Sequence, residues 1–398
     1  MSSGDKRYLI GRRDGGEGGL LLLGRYLALD GSTGAPVYLD VLKPHAVLIC
    51  GKRGYGKSYT MGALVEEFAR LPGVIRKNFT AIVVDTMGIF GCMAEPNDEE
   101  EGALKAWGLS PSGLDINVFA PPYHLKPGQL PFEIPTGSLS EYDYCEMLSI
   151  EPLSEHGAAL IGAMNRLGTF DISDLIADIQ ASSAPVSVRS SLCGLLSMVN
   201  GWRLFSKTAT YDGLLEPGSI NVVDLSGYGH DPQIKSCIVA SLARSLYDIR
   251  AKARREEDGA RSSPLIWMFI DEAHMFMDQD KKSGAGEVLV NEWLRQGRQP
   301  GLSLVLATQR PSALGKDVLS QTDVVICHRL TLRDDVEAME NARPLYVREP
   351  VREALSRLGT MRGAAIVVDD TTESYHVIKI RPRLSKHGGG EPVVYGVD

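Results

Sequence analysis

Runs of consecutive apolar residues alternate with helix-like segments along most of the chain. Each run is short and rich in Val, Ile and Leu, which predicts a strand buried on both faces. The alternation of such strands with helices predicts a mainly parallel sheet covered on both sides, and therefore an α/β fold. The predicted strands lie at 45–50, 80–85, 219–227, 265–274, 303–309, 323–330, 363–369 and 375–380.

Two regions depart from this pattern. Residues 1–44 hold short apolar bursts between Gly-rich turns, which predicts a small β appendage. Residues 91–215 combine an acidic patch, a Pro-rich stretch and several amphipathic helical segments, which predicts a helical insertion. The core then consists of 45–90 and 216–382, and 383–398 remains as a C-terminal tail.

Composition excludes some classes of protein. The chain has 398 residues, of which 43% are hydrophobic, so it can bury a sizeable core and is not a disordered chain. Its net charge of −8 argues against a basic protein that coats nucleic acid. Residues 281–386 carry 17 basic and 13 acidic side chains, so a site for a polyanion is expected there.

Cysteine usage and apolar run length indicate a compartment. The six cysteines are far apart and include no CxxC pair, which predicts free thiols in a reducing environment rather than a disulfide framework or a zinc site. The chain shows neither an apolar run of membrane-spanning length nor a signal-peptide pattern. We therefore expect a cytoplasmic protein with no membrane partner.

The strongest chemical signal is the segment from Gly51 to Ser58, GKRGYGKS, which fits GxxxxGK[ST]. It follows a predicted strand and opens a helix-like segment, as a phosphate-binding loop must. Glycines allow backbone N–H groups to close around a phosphate, Lys57 reaches the β- and γ-phosphates, and Ser58 offers its hydroxyl to Mg²⁺. The candidate nucleotide-binding residues are Gly51, Gly54, Tyr55, Gly56, Lys57, Ser58 and Tyr59.

Polar side chains also end two later strands. In the run LIWMFIDEAH, Asp271 and Glu272 directly follow the apolar residues. Asp271 can hold Mg²⁺ through water, and Glu272 can orient and activate the attacking water. The run LVLATQRPS ends in Gln309, which can sense the γ-phosphate; the alternative is a polar strand end with no catalytic part.

Two further candidate groups are basic. Arg295 and Arg298, on the predicted helix before the last of these strands, could enter the nucleotide site of a neighbouring subunit, or could simply be solvated at a helix end. Lys281 and Lys282 lie in a polar, glycine-containing loop that could touch a nucleic-acid backbone, or could be an ordinary surface loop.

Taken in order, these motifs resemble the HerA/FtsK superfamily of P-loop ATPases, and the HerA-like branch in particular. The resemblance covers about 45 to 330 and rests on HAVLICGKRGYGKSYTMG, VVDTMGIF, INVVDLSG, FIDEAHMF, RQGRQPGLSLVLATQRPS and VLSQTDVVICHRL. It implies a RecA-like core in a homo-hexameric ring that pumps double-stranded DNA. It also implies a nuclease or other effector partner, in DNA end processing or phage defence.

The resemblance assigns roles to the candidate residues. It places Lys57, Ser58, Asp271, Glu272 and Gln309 in the nucleotide site. It makes an arginine of the RQGR segment a finger acting in the neighbouring subunit, with Arg298 preferred over Arg295.

Two features differ from the family pattern. HerA-like proteins usually begin with a full β-barrel, whereas about 44 residues precede this core. In the phosphate-binding loop, Arg53 and Tyr55 stand where small residues are commoner.

We therefore expect a Mg²⁺-dependent, ATP-driven ring motor that translocates double-stranded DNA without sequence preference. Two alternatives stay open. One is an ATPase ring that scaffolds and regulates an effector with little DNA pumping. The other is a secretion or conjugation motor resembling VirB4, which the absence of an apolar span disfavours. A small-molecule kinase would leave ATQRPS unexplained.

Overall fold

A long mixed sheet runs through the whole molecule. The computed structural model describes residues 6–28, 30–229, 232–256 and 263–389. The strands in these residues are β1 (Tyr8–Ile10), β2 (Leu20–Leu27), β3 (Thr33–Asp40), β4 (Ala46–Cys50), β5 (Phe79–Asp85), β6 (Asn117–Ala120), β7 (Leu130–Pro131), β8 (Ile134–Pro135), β9 (Phe205–Ser206), β10 (Ile220–Asp224), β11 (Leu265–Ile270), β12 (Leu302–Thr308), β13 (Val324–Cys327), β14 (Ala364–Asp369) and β15 (Ser374–Ile380).

Helices cover both faces of this sheet. The helices in the described residues are α1 (Lys57–Arg70), α2 (Gly73–Arg76), α3 (Glu101–Ala106), α4 (Glu141–Met147), α5 (Glu155–Leu167), α6 (Ile172–Ala181), α7 (Val186–Gly201), α8 (Pro232–Glu256), α9 (Gly284–Val288), α10 (Lys316–Gln321), α11 (Arg333–Asn341) and α12 (Val351–Leu358). A π-helical turn at Leu289–Leu294 continues α9.

The central strands are parallel and lie in the order β13-β4-β12-β11-β5-β10-β6-β7. Every residue of β4, β5, β11 and β12 is buried. Because side chains alternate along a strand, Val47 and Ile49 pack on the α1 side, whereas Leu48 and Cys50 pack on the α8 side. The predicted mainly parallel α/β fold is confirmed.

The N-terminal strands do not stand apart as the predicted appendage. Strand β2 pairs antiparallel with β15, with Tyr26 opposite Ile378, and β15 continues through β14 to β13. Strands β3 and β1 complete this side of the sheet. The described part of 1–44 is therefore an extension of the core sheet.

The region 91–215, predicted as a helical insertion, holds both helices and strands, and it contributes to the sheet. Helices α3 to α7 lie here, and α4 to α7 pack with α8 in one hydrophobic cluster. Strand β6 pairs in parallel with β10, and β7 pairs with β6, so two short strands of the insertion extend the sheet at its far edge.

The segment 383–389, predicted to begin a tail, is fixed against helix α1. Arg383 and its neighbour Arg381 are fully buried and pair with Glu66 of α1, at 3.1 Å and 2.8 Å. The backbone N–H of Asn97 donates to the carbonyl of Leu384 at 2.9 Å, which ties the segment to the insertion. The rest of the predicted tail, 390–398, lies outside the described residues.

The cysteines and the helices bear on two expectations from the sequence, free thiols and the lack of a membrane-spanning segment. All six cysteines lie in the described residues as free thiols, and four of them, Cys50, Cys145, Cys237 and Cys327, are buried. Within the described ranges, no helix has both the length and the apolar character needed to cross a membrane.

Candidate nucleotide site

The segment from Gly51 to Ser58 connects the end of β4 to the start of α1. Gly51 and Gly56 have φ values of 156° and 112°, a region of backbone conformation that favours glycine. A Cβ atom on Gly51 would also lie 2.6 Å from the Cβ of His328, which follows the neighbouring strand β13. The glycines of the motif are thus required by the path of the backbone.

Lys57 is the first residue of α1 and is buried at the inner side of the loop. Its Nζ lies 3.5 Å from the carbonyl oxygen of Lys52 across the loop. Burial lowers the pKa of Lys57, while the nearby carboxylates of Glu272 and Asp271 act in the opposite direction. The ammonium is therefore desolvated, which strengthens its interaction with an incoming phosphate.

Ser58, in the first turn of α1, lies beside Asp271, which directly follows β11. The Ser58 hydroxyl donates to Oδ1 of Asp271 at 3.4 Å. Burial raises the pKa of Asp271 to about 7, and the charges of Glu272 and Asp85 add to the rise. A hydroxyl and a carboxylate are the oxygen ligands that Mg²⁺ uses together with phosphate and water. These two residues fit a magnesium ion, which would relieve the charge crowding on Asp271.

Glu272 and Gln309 are brought into direct contact. The Gln309 side-chain amide donates to Oε1 of Glu272. Oε2 of Glu272 is buried without a hydrogen-bond partner in the described residues, and Nδ1 of His274 lies 3.4 Å away from it. Glu272 also has a left-handed backbone with φ 50°, which is uncommon for a non-glycine residue. This geometry leaves one carboxylate oxygen available to accept a proton from water.

The arrangement places a hydroxyl–carboxylate pair, Ser58 with Asp271, and an amide–carboxylate pair, Gln309 with Glu272, beside the glycine-rich loop and Lys57. A family model described as "Helicase HerA, central domain" matches residues 22–246 of this chain, which is more than half of it. The chain belongs to the HerA helicase family. The family membership predicted from its motifs is thereby confirmed.

The alignments between this HerA-family chain and its curated relatives cover only part of this chain and only part of each relative. It is 29% identical over 180 residues to the DNA double-strand break repair helicase HerA of Sulfolobus acidocaldarius, covering 44% of this chain and 34% of that protein. It is 26% identical over 203 residues to a probable repair helicase HerA of Methanocaldococcus jannaschii, covering 46% and 39%. The chain therefore matches little more than a third of the length of either relative.

Solved structures agree on the fold of this HerA-family chain. VirB4 of Thermoanaerobacter pseudethanolicus superposes with a TM-score of 0.58 at 16% identity, covering 94% of this chain and 98% of that one. The bacterial conjugative coupling protein TrwB superposes with a TM-score of 0.51 at 14% identity, covering 96% and 91%. At these identities the similarity establishes the α/β ATPase fold alone.

Several predicted residues of the HerA-family chain lie away from the phosphate loop. Arg295 pairs with Asp317 at 2.7 Å, and Arg298 pairs with Asp323 at 3.3 Å. Arg298 and Asp323 precede β12 and β13, so they lie at the amino ends of strands whose carboxyl ends carry the nucleotide site. Neither of these two ion pairs joins its arginine to the chain's own phosphate loop.

The two tyrosines of the motif have different surroundings. The Tyr55 hydroxyl accepts from the guanidinium of Arg329 at 3.2 Å, and that guanidinium lies 5.3 Å from the tyrosine ring centre. The Tyr59 hydroxyl donates to Glu100 at 2.5 Å and accepts the backbone N–H of Arg383 at 2.7 Å. The Tyr59 side chain thus anchors the C-terminal segment, and its backbone N–H belongs to the first helical turn.

The predicted DNA loop lies on the surface. Lys281 and Lys282 are both exposed between β11 and α9. Gln279, two residues before Lys281 in the loop, is hydrogen bonded to the segment that follows Gln309, through its backbone N–H to the carbonyl of Ala313 at 2.9 Å.

The sequence-based prediction missed two buried supports of the site. His328 is fully buried between the hydroxyl of Thr60 and the carbonyl of Ala364, each at 2.9 Å, and burial lowers its pKa to about 4. Asp85 accepts backbone N–H groups of Gly88 at 2.8 Å and Phe90 at 2.7 Å, which shapes the loop beside Asp271. Asp85 ends the predicted strand 80–85 and His328 lies in the second half of the predicted strand 323–330, and this position near the carboxyl end of a strand was the available signal.

Proposed function

We propose that this chain is a ring-forming motor that hydrolyses Mg²⁺-bound ATP to move along double-stranded DNA without sequence preference. The observation that supports this most directly is the convergence of Ser58 with Asp271 and of Gln309 with Glu272 beside Lys57. These are the groups that phosphoryl transfer to water requires, and they come from three different strand ends.

Each residue of the nucleotide site has a separate role in the proposed hydrolysis of ATP. Lys57 binds the β- and γ-phosphates, and Ser58 and Asp271 hold the magnesium ion, which draws negative charge from the phosphate oxygens when bound. Glu272 accepts a proton as a water oxygen bonds to the γ-phosphorus and the bond from that phosphorus to ADP breaks. Gln309, held on Glu272, reports whether the γ-phosphate is present.

The proposed coupling to DNA rests on hydrogen bonds between the lysine loop and the segment that follows Gln309. The backbone N–H and side-chain amide of Gln279 donate to carbonyls of Ala313 and Ser312, at 2.9 Å and 3.1 Å. The exposed lysines at 281 and 282 follow two residues later. A shift of Gln309 on hydrolysis would therefore move this loop, and lysines that bind phosphates carry no sequence preference.

The proposed ring follows from the position of Arg298. This side chain lies at the opposite end of the strands from its own phosphate loop, which favours a role in the site of a neighbouring copy over a role in its own site. We propose a homo-hexamer on this basis and on family membership. A nuclease or other effector is its proposed partner, in DNA end processing or phage defence.

ATPase rates with and without double-stranded DNA test this function. We expect DNA to stimulate the wild-type rate and Lys57→Ala to abolish turnover. The double variant Lys281→Ala/Lys282→Ala should lose most of the DNA stimulation and weaken the salt dependence of DNA binding, by a log–log slope of about 2 for each loop engaged. Lys77→Ala, which removes an exposed lysine elsewhere, is the matched control.

One outcome favours the alternative function. A rate that DNA does not change, combined with a co-purified effector that is active only on the assembled ring, would support a scaffold ATPase instead. A wild-type rate in Lys57→Ala would contradict both functions.

A further inference from the structure

A cluster of charged side chains lies at the amino ends of β4 and β13, away from the phosphate loop. We call Asp40, His45, Asp323 and Arg298 the amino-end cluster. His45 immediately precedes β4 and Asp323 immediately precedes β13, while Arg298 comes from the turn before β12. The cluster contains the candidate finger, so its geometry bears on how that arginine is presented.

His45 is buried between two carboxylates. Its Nδ1 lies 2.8 Å from Oδ2 of Asp323, and its Nε2 lies 3.7 Å from Oδ2 of Asp40, which also pairs with Arg12 at 3.3 Å. Burial lowers the pKa of His45, but the hydrogen bonds and charges of the two aspartates outweigh it and raise the pKa to about 9. The imidazole is therefore a buried cation at neutral pH.

Asp323 has enough partners to remain satisfied without Arg298. Its Oδ1 accepts the backbone N–H of Ala46 at 2.8 Å, and its Oδ2 faces both His45 and Arg298. The Asp323 side chain is 8% exposed, whereas that of Arg298 is 69% exposed. Arg298 can thus swing into solvent while the buried carboxylate keeps its cation and its backbone hydrogen bond.

We propose that Asp323 and His45 are positioning residues for Arg298, which they hold at the protomer surface until it enters the nucleotide site of the neighbouring copy. This inference rests on the proposed function, in which Arg298 acts between subunits. Asp323 supplies the attraction that orients the guanidinium. His45 reduces that attraction to one that the more highly charged γ-phosphate can exceed.

The ion pair between Arg295 and Asp317 differs from the one between Arg298 and Asp323. The side chains of Arg295 and Asp317 are 47% and 65% exposed, so the Asp317 carboxylate is not buried as that of Asp323 is. An exposed pair of this kind orients its partners weakly. Arg298 thus differs from Arg295 in the burial of the carboxylate that it faces.

A double-mutant cycle on the assembled full-length ring tests the inference through kcat and KM for ATP. Arg298→Ala should lower kcat by about a thousandfold or more. Asp323→Asn, which keeps an acceptor for the N–H of Ala46, should lower kcat by about tenfold through misplacement of the finger, with KM within about twofold of wild type. Asp317→Asn is the control and should leave kcat unchanged.

The double variant Arg298→Ala/Asp323→Asn should be no slower than Arg298→Ala alone, because a residue that acts through the arginine has nothing left to position. Independent, multiplying effects would overturn the inference, and so would a wild-type kcat in Asp323→Asn beside an inactive Arg298→Ala. A wild-type kcat in Arg298→Ala would instead refute the proposed finger. If Asp323→Asn does not fold, His45→Gln takes its place in the same cycle, with the same expected non-additivity.

Discussion

Replacing Glu66 by alanine should detach the C-terminal segment from the helix that carries the phosphate loop. The Glu66 carboxylate is fully buried. It accepts five hydrogen bonds, all from residues more than 300 positions later in the chain. The donors are Arg381 Nη1 at 2.8 Å, Arg383 Nε at 3.1 Å, the N–H groups of Leu384 and Ser385 at 2.9 Å and 3.0 Å, and the Ser385 hydroxyl at 2.6 Å.

The size of the effect follows from what remains after the substitution. Alanine would leave two guanidinium groups, each with no exposed side-chain area, without the carboxylate that they share. Removing one partner of a buried ion pair costs about 3–5 kcal/mol. Arg381 keeps a second contact with Glu67 at 3.1 Å, so we expect a loss of about 4 kcal/mol rather than more. Glu66→Gln keeps the acceptor oxygen and the shape, and should lose less.

Equilibrium urea unfolding and amide hydrogen exchange measure this loss globally and locally. We expect a lower unfolding midpoint and faster exchange at 383–386 in Glu66→Ala. Glu101→Ala, which removes one member of an exposed pair with Lys105, should cost less than about 1 kcal/mol and serves as the control. A loss below about 1 kcal/mol in Glu66→Ala, with unchanged exchange at 383–386, would refute the reasoning.

Three further outcomes are expected. Glu272→Gln should slow hydrolysis by about a hundredfold or more while ATP affinity, measured by calorimetry, stays near wild type; equal losses of both would count against its role as the base. Because its folded pKa of about 9 exceeds the ordinary 6.5, His45 should contribute about 3 kcal/mol of stability that is complete below pH 6.5 and lost as pH rises through 9. His45→Gln should flatten that part of a stability–pH profile, and an unchanged profile would contradict the assignment. Gly51→Ala should cost about 1–3 kcal/mol and most nucleotide binding, because its Cβ would collide with His328; Gly102→Ala, in open space on α3, should cost nothing, and equal effects would be a contradiction.

Local sequence patterns were sufficient to predict the central α/β fold. The run AVLIC followed by GKRGYGKS leaves little choice but a buried strand, a phosphate-binding loop and a helix. Asp271 and Gln309 could be placed beside that loop because the carboxyl ends of parallel strands share one edge of a sheet. The contacts between Ser58 and Asp271 and between Glu272 and Gln309 agree with this placement.

Pairings between distant parts of the chain could not be predicted in this way. Nothing in the local pattern of β2 indicates that Tyr26 will lie opposite Ile378, which joins the N-terminal strands to the core. The segment RLSK at 383–386 is polar and reads as a tail, because its partner Glu66 is hidden in an otherwise ordinary helix. Strand β6, four residues long in the insertion, was too short to predict as part of the sheet.

The strand order also determines how late the central sheet can form while the chain is being synthesised. Strand β4 leaves the ribosome early, but its two neighbours, β12 and β13, begin about 250 residues later. At the usual rate of about 5–20 residues per second this delay is roughly 10–50 s, during which the five apolar residues of β4 have no strand beside them. A nascent chain that ends before Cys327 lacks one of the two neighbours of this strand, and with it the His328 support of the loop. ATP therefore cannot assist folding as a ligand until most of the chain has been translated, and β4 is the segment that a chaperone would need to shield.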